Sequence, residues 1–216
     1  MKRVIILGVS LFAFCVGIPV ALSSSIRTKP IQSTNPQKPV VREMGGVERL
    51  YGLPVFRTHA SYFVPENIDE LIQKSELIVI GKTPKNVSEG KAVLPRADDG
   101  TIYGAYTEVP FKISKTFKGN KNLKEITLAQ GAAVVRPEDR KSAYIRVVGD
   151  YTPVEPNTRY LMFLMRGTPG SGGENLYTPV ALVYGQHNLT SDAEEKKFPD
   201  PTFKSLRKLV RERFKE

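Results

Sequence analysis

The feature that most constrains this chain is the regular alternation of side chains over residues 106–117. Val109, Phe111 and Ile113 occupy one set of alternate positions, and Lys115 comes next in the same register. The intervening positions hold polar side chains: Lys112, Ser114 and Thr116. Because neighbouring side chains of a β-strand point to opposite faces, this pattern predicts a half-buried strand.

Further strands are predicted on both sides of this run. Residues 118–122, Lys-Gly-Asn-Lys-Asn, predict a turn, and residues 125–129 predict the antiparallel partner strand that follows it. Apolar runs predict buried strands over residues 77–82, 160–165 and 177–184, and a short strand is compatible with residues 143–148.

Two helices are predicted at the ends of the strand-rich region. Asn67 and Glu70 have the spacing of a capping box, and apolar residues then recur with helical period to about Ser75. Residues 201–214 place Phe203, Leu206, Val210 and Phe214 on one helical face. The order of elements predicts a mainly β fold: a five-stranded OB-like barrel with a short N-terminal helix and an amphipathic C-terminal helix.

Three segments resemble the netrin-like (NTR) module of tissue inhibitors of metalloproteinases and related secreted proteins. They are Glu-Leu-Ile … Ser-Glu-Leu-Ile-Val-Ile-Gly-Lys over residues 70–82, Val-Pro-Phe-Lys-Ile-Ser-Lys-Thr-Phe-Lys-Gly over 109–119, and Arg-Tyr-Leu-Met-Phe-Leu over 159–164. The resemblance covers residues 66–214. It implies an extracytoplasmic binding or structural module. Inhibition through an N-terminal cysteine does not carry over, because no residue of the mature chain could play that part.

The first 23 residues are typical of an export signal. Lys2 and Arg3 precede an uncharged apolar run, and Ala-Leu-Ser at residues 21–23 provides small residues for cleavage. We expect a secreted or extracytoplasmic protein. Two alternatives are a retained N-terminal segment that tethers the chain to the membrane, and a lipoprotein signal acylated at Cys15.

The expected domain organisation has three parts. Residues 1–23 are the signal peptide, residues 24–64 are a flexible spacer and lead-in, and residues 65–216 are the barrel domain. The spacer assignment rests on a composition rich in Ser, Thr, Pro, Gln and Lys over residues 24–50.

The scarcity of cysteine and histidine excludes several kinds of site. Cys15 is the one cysteine of the chain, and His59 and His187 are its two histidines. A disulfide within the chain and a zinc site of cysteine and histidine ligands therefore cannot form, so no disulfide partner and no cofactor is expected. The core must hold without covalent cross-links.

The motifs that could carry catalysis have simpler interpretations. Ser171 lies in a Gly-rich loop without the nucleophile-elbow pattern, and Asp-Asp-Gly at residues 98–100 is a turn signal. His59 and His187 have no nucleophile motif beside them and are interpreted as surface or strand-end residues. The chain is therefore not expected to be an enzyme. The alternative is an exported enzyme without a short signature, using His187 and a carboxylate.

The charge is strongly positive, with a formal value of +10 for the chain. The predicted C-terminal helix carries basic side chains interpreted as a candidate anionic-surface binding site: Lys204, Arg207, Lys208, Arg211 and Lys215. The predicted function is a non-enzymatic, exported module that binds an envelope protein, an anionic polymer or a lipid surface. A merely solvated helix face is the alternative for these side chains. Nucleic acid is not expected as a partner, because export separates the chain from it.

Overall fold

The computed structural model describes residues 48–137, 142–167, 175–192 and 198–214. All of them belong to the unit that extends from Val41 to Glu216. The predicted signal peptide with Cys15, most of the predicted spacer, the loop around Ser171 and the side chain of Lys215 lie outside the described residues.

The described residues form eleven strands, two α-helices and one short 3-10 helix. In chain order the elements are β1 Arg49–Leu50, β2 Leu53–Thr58, α1 Ile68–Lys74, β3 Leu77–Lys82, β4 Lys91–Val93, β5 Tyr106–Lys118, β6 Glu125–Gln130, β7 Ala132–Val135, β8 Tyr144–Val148, β9 Tyr160–Arg166, β10 Leu176–Pro179, the 3-10 helix Leu182–Gly185, β11 Gln186–Asn188 and α2 Pro201–Arg213.

Five of the strands close into a barrel. Around the ring β3 pairs with β5, β5 with β6, β6 with β10, β10 with β9, and β9 with β3 again. The β6–β10 pair is parallel and the other four pairs are antiparallel. The predicted mainly β fold with a barrel and a C-terminal helix is confirmed.

The barrel interior is filled by alternate residues from the five strands and by Val154, which lies in the segment before β9. This buried cluster comprises Leu77, Val79, Val109, Phe111, Ile126, Leu128, Val154, Tyr160, Met162, Leu164 and Tyr177. The intervening residues of β3 and β9 are also buried, in a second cluster formed with the two helices. Strands β3 and β9 are therefore covered on both faces, which explains why their sequences are apolar without alternation.

The two helices cover the outer side of β3 and β9. At the start of α1, Asn67 Oδ1 accepts a hydrogen bond from the Glu70 amide. At the start of α2, Asp200 Oδ1 accepts one from the Phe203 amide, and Pro201 occupies the first turn. Within the described ranges, neither α-helix combines the length and the hydropathy needed to cross a membrane.

A second, four-stranded sheet stands beside the barrel in the order β1-β2-β8-β7. Strands β7 and β8 form an antiparallel hairpin between barrel strands β6 and β9 in the sequence. Strand β2 pairs in parallel with β8, from Val55 with Ile145 to Thr58 with Val148. Sheet-forming residues thus begin before residue 65, within the segment predicted as spacer and lead-in.

The predicted strand over residues 177–184 is wrong beyond Pro179. Strand β10 ends there, Ala181 and Leu182 have positive φ, and the 3-10 helix follows before β11 pairs with β9. The chain packs very tightly at this bend, because a Cβ on Gly185 would lie 2.2 Å from the Val180 carbonyl oxygen. A continuous apolar run does not reveal such a break, since both halves of the run are buried.

Candidate functional site

The basic side chains predicted on the C-terminal helix do not all lie on one exposed face. Lys204, Lys208 and Arg211 are exposed on α2. Arg211 is ion-paired with the Asp192 carboxylate. Arg213 is exposed and ion-paired as well, so two lysines and two paired arginines are what the described part of this helix offers to an anionic surface.

Arg207 does not belong to the predicted binding face, because its side chain is 1% exposed. Its Nη2 atom donates to the carbonyl oxygens of Asn188 and Ser191, both at 2.6 Å, and lies 3.4 Å from Asp192 Oδ1. The guanidinium thus fastens the segment after β11 to the helix. The sequence held the signal for this position, because residue 207 follows Phe203 by four and precedes Val210 by three.

A second group of cations, which the sequence interpretation missed, lies on the barrel. From residue 112 to residue 124 every third residue is a lysine: Lys112, Lys115, Lys118, Lys121 and Lys124. In a regular strand this spacing would send successive lysines to opposite faces. The alternation therefore predicted that Lys115 lies with the apolar set, whereas its side chain is exposed.

Two irregularities in the β3–β5 pairing bring three of these lysines to one side. Lys118 pairs with Ile78, Lys115 with Ile80 and Lys112 with Lys82. Residues 78, 80 and 82 are alternate positions of β3 and share a face. The register shifts lie between Ile78 and Val79 and between Ile80 and Gly81, so each inserts one extra residue into β5. We call Lys82, Lys112, Lys115 and Lys118 the lysine face.

The members of the lysine face have different surroundings. Lys118 Nζ donates to the Ile72 carbonyl oxygen in the last turn of α1, at 2.8 Å, which is a stabilising place for a cation. Lys115 Nζ lies 4.9 Å from the centre of the Phe117 ring. Lys82, Lys112 and Lys115 have no ion pair within the described ranges.

Lys82 and Lys112 form a cross-strand pair of like charges. Their Cα atoms are register partners, so their side chains leave the sheet on the same side about 5 Å apart. Like charges directly opposite each other destabilise a sheet. Glu125 is the register partner of Lys112 on β6, and the exposed Arg159 precedes Tyr160, which pairs with Gly81. A carboxylate therefore borders Lys112 on the β6 side, and basic side chains extend from β5 over β3 to residue 159.

His187 lies in an apolar environment. Its ring is fully buried, stacks on Phe203 at a centroid distance of 5.7 Å and an angle of 9°, and meets Phe163 edge-on at 5.8 Å. Among the described residues neither ring nitrogen makes a hydrogen bond of ordinary geometry. Burial and the nearby Arg207 charge lower the pKa of His187 to about 3, although the Tyr184 backbone opposes this shift.

This environment does not favour the predicted alternative of an enzyme acting through His187. The imidazole is enclosed by aromatic rings and has no exposed atom to offer a substrate. Within the part of the chain that the structure describes, no three His, Cys, Asp or Glu side chains lie close enough together to hold a metal ion.

A groove of about 480 Å³ lies beside the second sheet, between strands β1, β2 and β8 and Phe198. Both cations that line the groove already have partners: Arg49 donates to the Gly52 carbonyl oxygen, and Arg57 makes several hydrogen bonds. Arg57 donates to both carboxylate oxygens of Glu48, at 2.9 and 3.1 Å, and to the carbonyl oxygens of Gly149 and Tyr151. The lysine face is therefore the better candidate site for an anionic partner.

Comparison of the chain with protein-family models, with curated proteins and with solved structures finds no match.

Replacing Arg207 by methionine should destabilise the fold. The buried carbonyl oxygen of Asn188 and the partly buried one of Ser191 would lose this donor, so we expect the unfolding free energy to fall by roughly 2–4 kcal/mol. The control is Lys204→Met on the same helix, which should change it by at most about 0.5 kcal/mol. Urea unfolding of the full chain measures both. If both substitutions lowered the unfolding free energy equally and by a small amount, Arg207 would be an exposed side chain and the buried position described here would be wrong.

The buried His187 should make stability depend on pH. Its ordinary pKa of 6.5 applies to the unfolded chain, and about 3 applies to the folded one. Between these values the unfolded state alone holds the proton. Stability is therefore greatest above pH 6.5 and falls towards pH 3, by up to about 1.4 kcal/mol per pH unit.

The variant His187→Phe isolates this effect, because all other titrating groups are common to both proteins. The unfolding free energy of the wild type minus that of the variant should decrease as the pH is lowered from 6.5 to 4. Leu209→Ala, at an exposed position of α2, is the control, and its difference from the wild type should not change with pH. A difference that stays constant with pH would contradict the buried, neutral state of His187.

Proposed function

We propose that this chain is an exported, non-enzymatic binding module that holds an anionic partner of the cell envelope on the lysine face. The partner is an envelope protein or an anionic polymer. The observation that carries the proposal is the pairing of Lys82 with Lys112, together with the exposed Lys115 on the same side. An anionic ligand would relieve the repulsion between these side chains.

The barrel supports an OB-like, netrin-like identity for the domain. Numbered within the barrel, the strands follow the order 1-2-3-5-4 and close back on 1, with the parallel contact between the third and fifth strands. A closed five-stranded barrel with such a non-sequential order has the Greek-key character of OB-like domains. Helices α1 and α2 contact each other on one side of it. Fold alone does not supply function, so the binding proposal rests on the charges.

Export is the second element of the proposal. It is supported by the basic, apolar and small-residue pattern of residues 1–23. It also agrees with a core that holds without cysteine, because residues 24–216 contain none. An extracytoplasmic location would expose the lysine face to envelope polymers and envelope proteins. Nucleic acid is not an expected partner there, because export separates the chain from it.

The test compares two variants with equal loss of charge. Lys82→Gln with Lys112→Gln removes two cations from the lysine face, and Lys204→Gln with Lys208→Gln removes two exposed cations from α2. We expect the first variant to sediment with the envelope fraction of the source organism at least about tenfold more weakly, since charge contacts dominate such binding. The second should bind like the wild type.

The outcome that overturns the proposal is equal sedimentation of the lysine-face variant and the wild type. Both variants should unfold at about the same urea concentration as the wild type, because each change removes exposed lysines, and in the first variant the lost Lys82–Lys112 repulsion offsets the lost Lys112–Glu125 attraction. Urea unfolding of each variant therefore shows whether a loss of binding results from a loss of folding.

A further inference from the structure

Resting on the proposed function, we infer that the occupant of the lysine face is a linear polymer of phosphate groups, not a folded protein or a membrane. Three features of the face support this choice. They are its linear arrangement, the absence of exposed apolar side chains on it, and the use of lysine for its cations.

The lysines stand in a line with a regular spacing. The β3 partners of Lys112, Lys115 and Lys118 are two residues apart, so the lysines repeat about every 6.6 Å, at roughly 3.3 Å per residue. Lys82 lies one strand away from the end of this line, about 5 Å from Lys112. A flexible chain with a charge on every repeat can follow such a line, whereas a compact anion meets only one or two of its members.

No large apolar side chain is exposed on the face. The exposed large hydrophobic residues of the described ranges are Tyr51, Val64, Tyr103, Met165 and Leu209, and none is on β3 or on residues 112–118. Stable protein interfaces bury an apolar centre with aromatic or arginine anchors. Surfaces that settle into a membrane likewise bury apolar side chains at its boundary. The face offers positive charge without either kind of anchor.

All four cations of the lysine face are ammonium groups. An ammonium is a compact charge with three donors, and it binds phosphate oxygens from any direction. The planar fork of arginine instead makes two parallel hydrogen bonds in one plane, to a carboxylate or to a phosphate. Lys82 and Lys112 can share the oxygens of one tetrahedral phosphate, and Lys115 can meet the charge of a phosphate further along the chain.

The experiment measures binding of the full chain to long-chain inorganic polyphosphate carrying a terminal fluorophore, by anisotropy, from 50 to 400 mM NaCl. The three exposed lysines of the face, Lys82, Lys112 and Lys115, predict a slope of log affinity against log salt of about −2.1, at roughly −0.7 per contact for a single strand. Lys82→Gln with Lys112→Gln should reduce that slope to about −0.7. Lys204→Gln with Lys208→Gln should leave it unchanged.

Two further probes separate the phosphate polymer from other anions. Poly-L-glutamate with the same number of charges should bind at least about tenfold more weakly, because each of its carboxylates stands on a flexible side chain whose ordering opposes binding. Vesicles of phosphatidylglycerol and phosphatidylcholine should bind more weakly than polyphosphate at equal phosphate concentration. Equal binding of poly-L-glutamate, tighter binding of the vesicles, or a salt slope that the Lys82/Lys112 variant does not change would each overturn the inference.

Failure of this inference can be told from failure of the proposed function. If envelope sedimentation depends on Lys82 and Lys112 while polyphosphate does not bind, the proposed function stands and the inference falls. If neither measurement depends on these residues, both fall.

Discussion

The rest of the structure depends on the burial of strand β3 on both of its faces. Leu77 and Val79 point into the barrel, and Ile78 and Ile80 lie under the two helices. The same strand forms hydrogen-bonded ladders with β5 on one side and β9 on the other. Closure of the barrel and packing of the helices therefore both depend on one short apolar segment, β3. This is how a chain whose single cysteine can form no disulfide within it can hold a core.

The irregular pairing of β3 with β5 connects this core to the candidate site. Strand β5 has 13 residues and β3 has six, so β5 must bend to follow the curvature of the barrel. Bulges bend a strand and increase its twist, and they also shift the side chains that follow them to the other face. Here the two bulges place the lysines that occur at every third position of β5 in a line on one surface. The site is thus a consequence of how the barrel closes.

Much of the fold could be predicted from the sequence, because the signals for it are local. Alternation identified β5, and the helical period identified α2 with its buried residues Phe203, Leu206 and Val210. The break after Pro179 was missed because it depends on the positive φ of Ala181 and Leu182 and on the close packing of Gly185 against Val180, and an apolar run reveals neither. Residues 49–58 were missed because their partner, β8, lies about 90 residues further along the chain.

The candidate site was harder to predict than the fold. Arg207 was counted as a surface charge because basic residues were grouped by composition, although its helical position places it among Phe203 and Val210. Lys115 was placed with the apolar residues because a bulge cannot be seen in a period-two pattern. The spacing of the lysines can be seen in the sequence, but which of them share a face depends on the register of β5 with β3, and the sequence does not give that register.

The central claim is that two bulges bring Lys112, Lys115 and Lys118 to one surface. It is tested most directly by brief acetylation of the native full chain, followed by mass spectrometry of each lysine. The structure predicts that Lys115 reacts about as fast as the exposed Lys112, and that Lys118, whose ammonium is bonded to the end of α1, reacts more slowly than both. A regular strand would direct Lys115 into the barrel. Protection of Lys115 at the level of a core residue, with Lys112 reactive, would contradict the account.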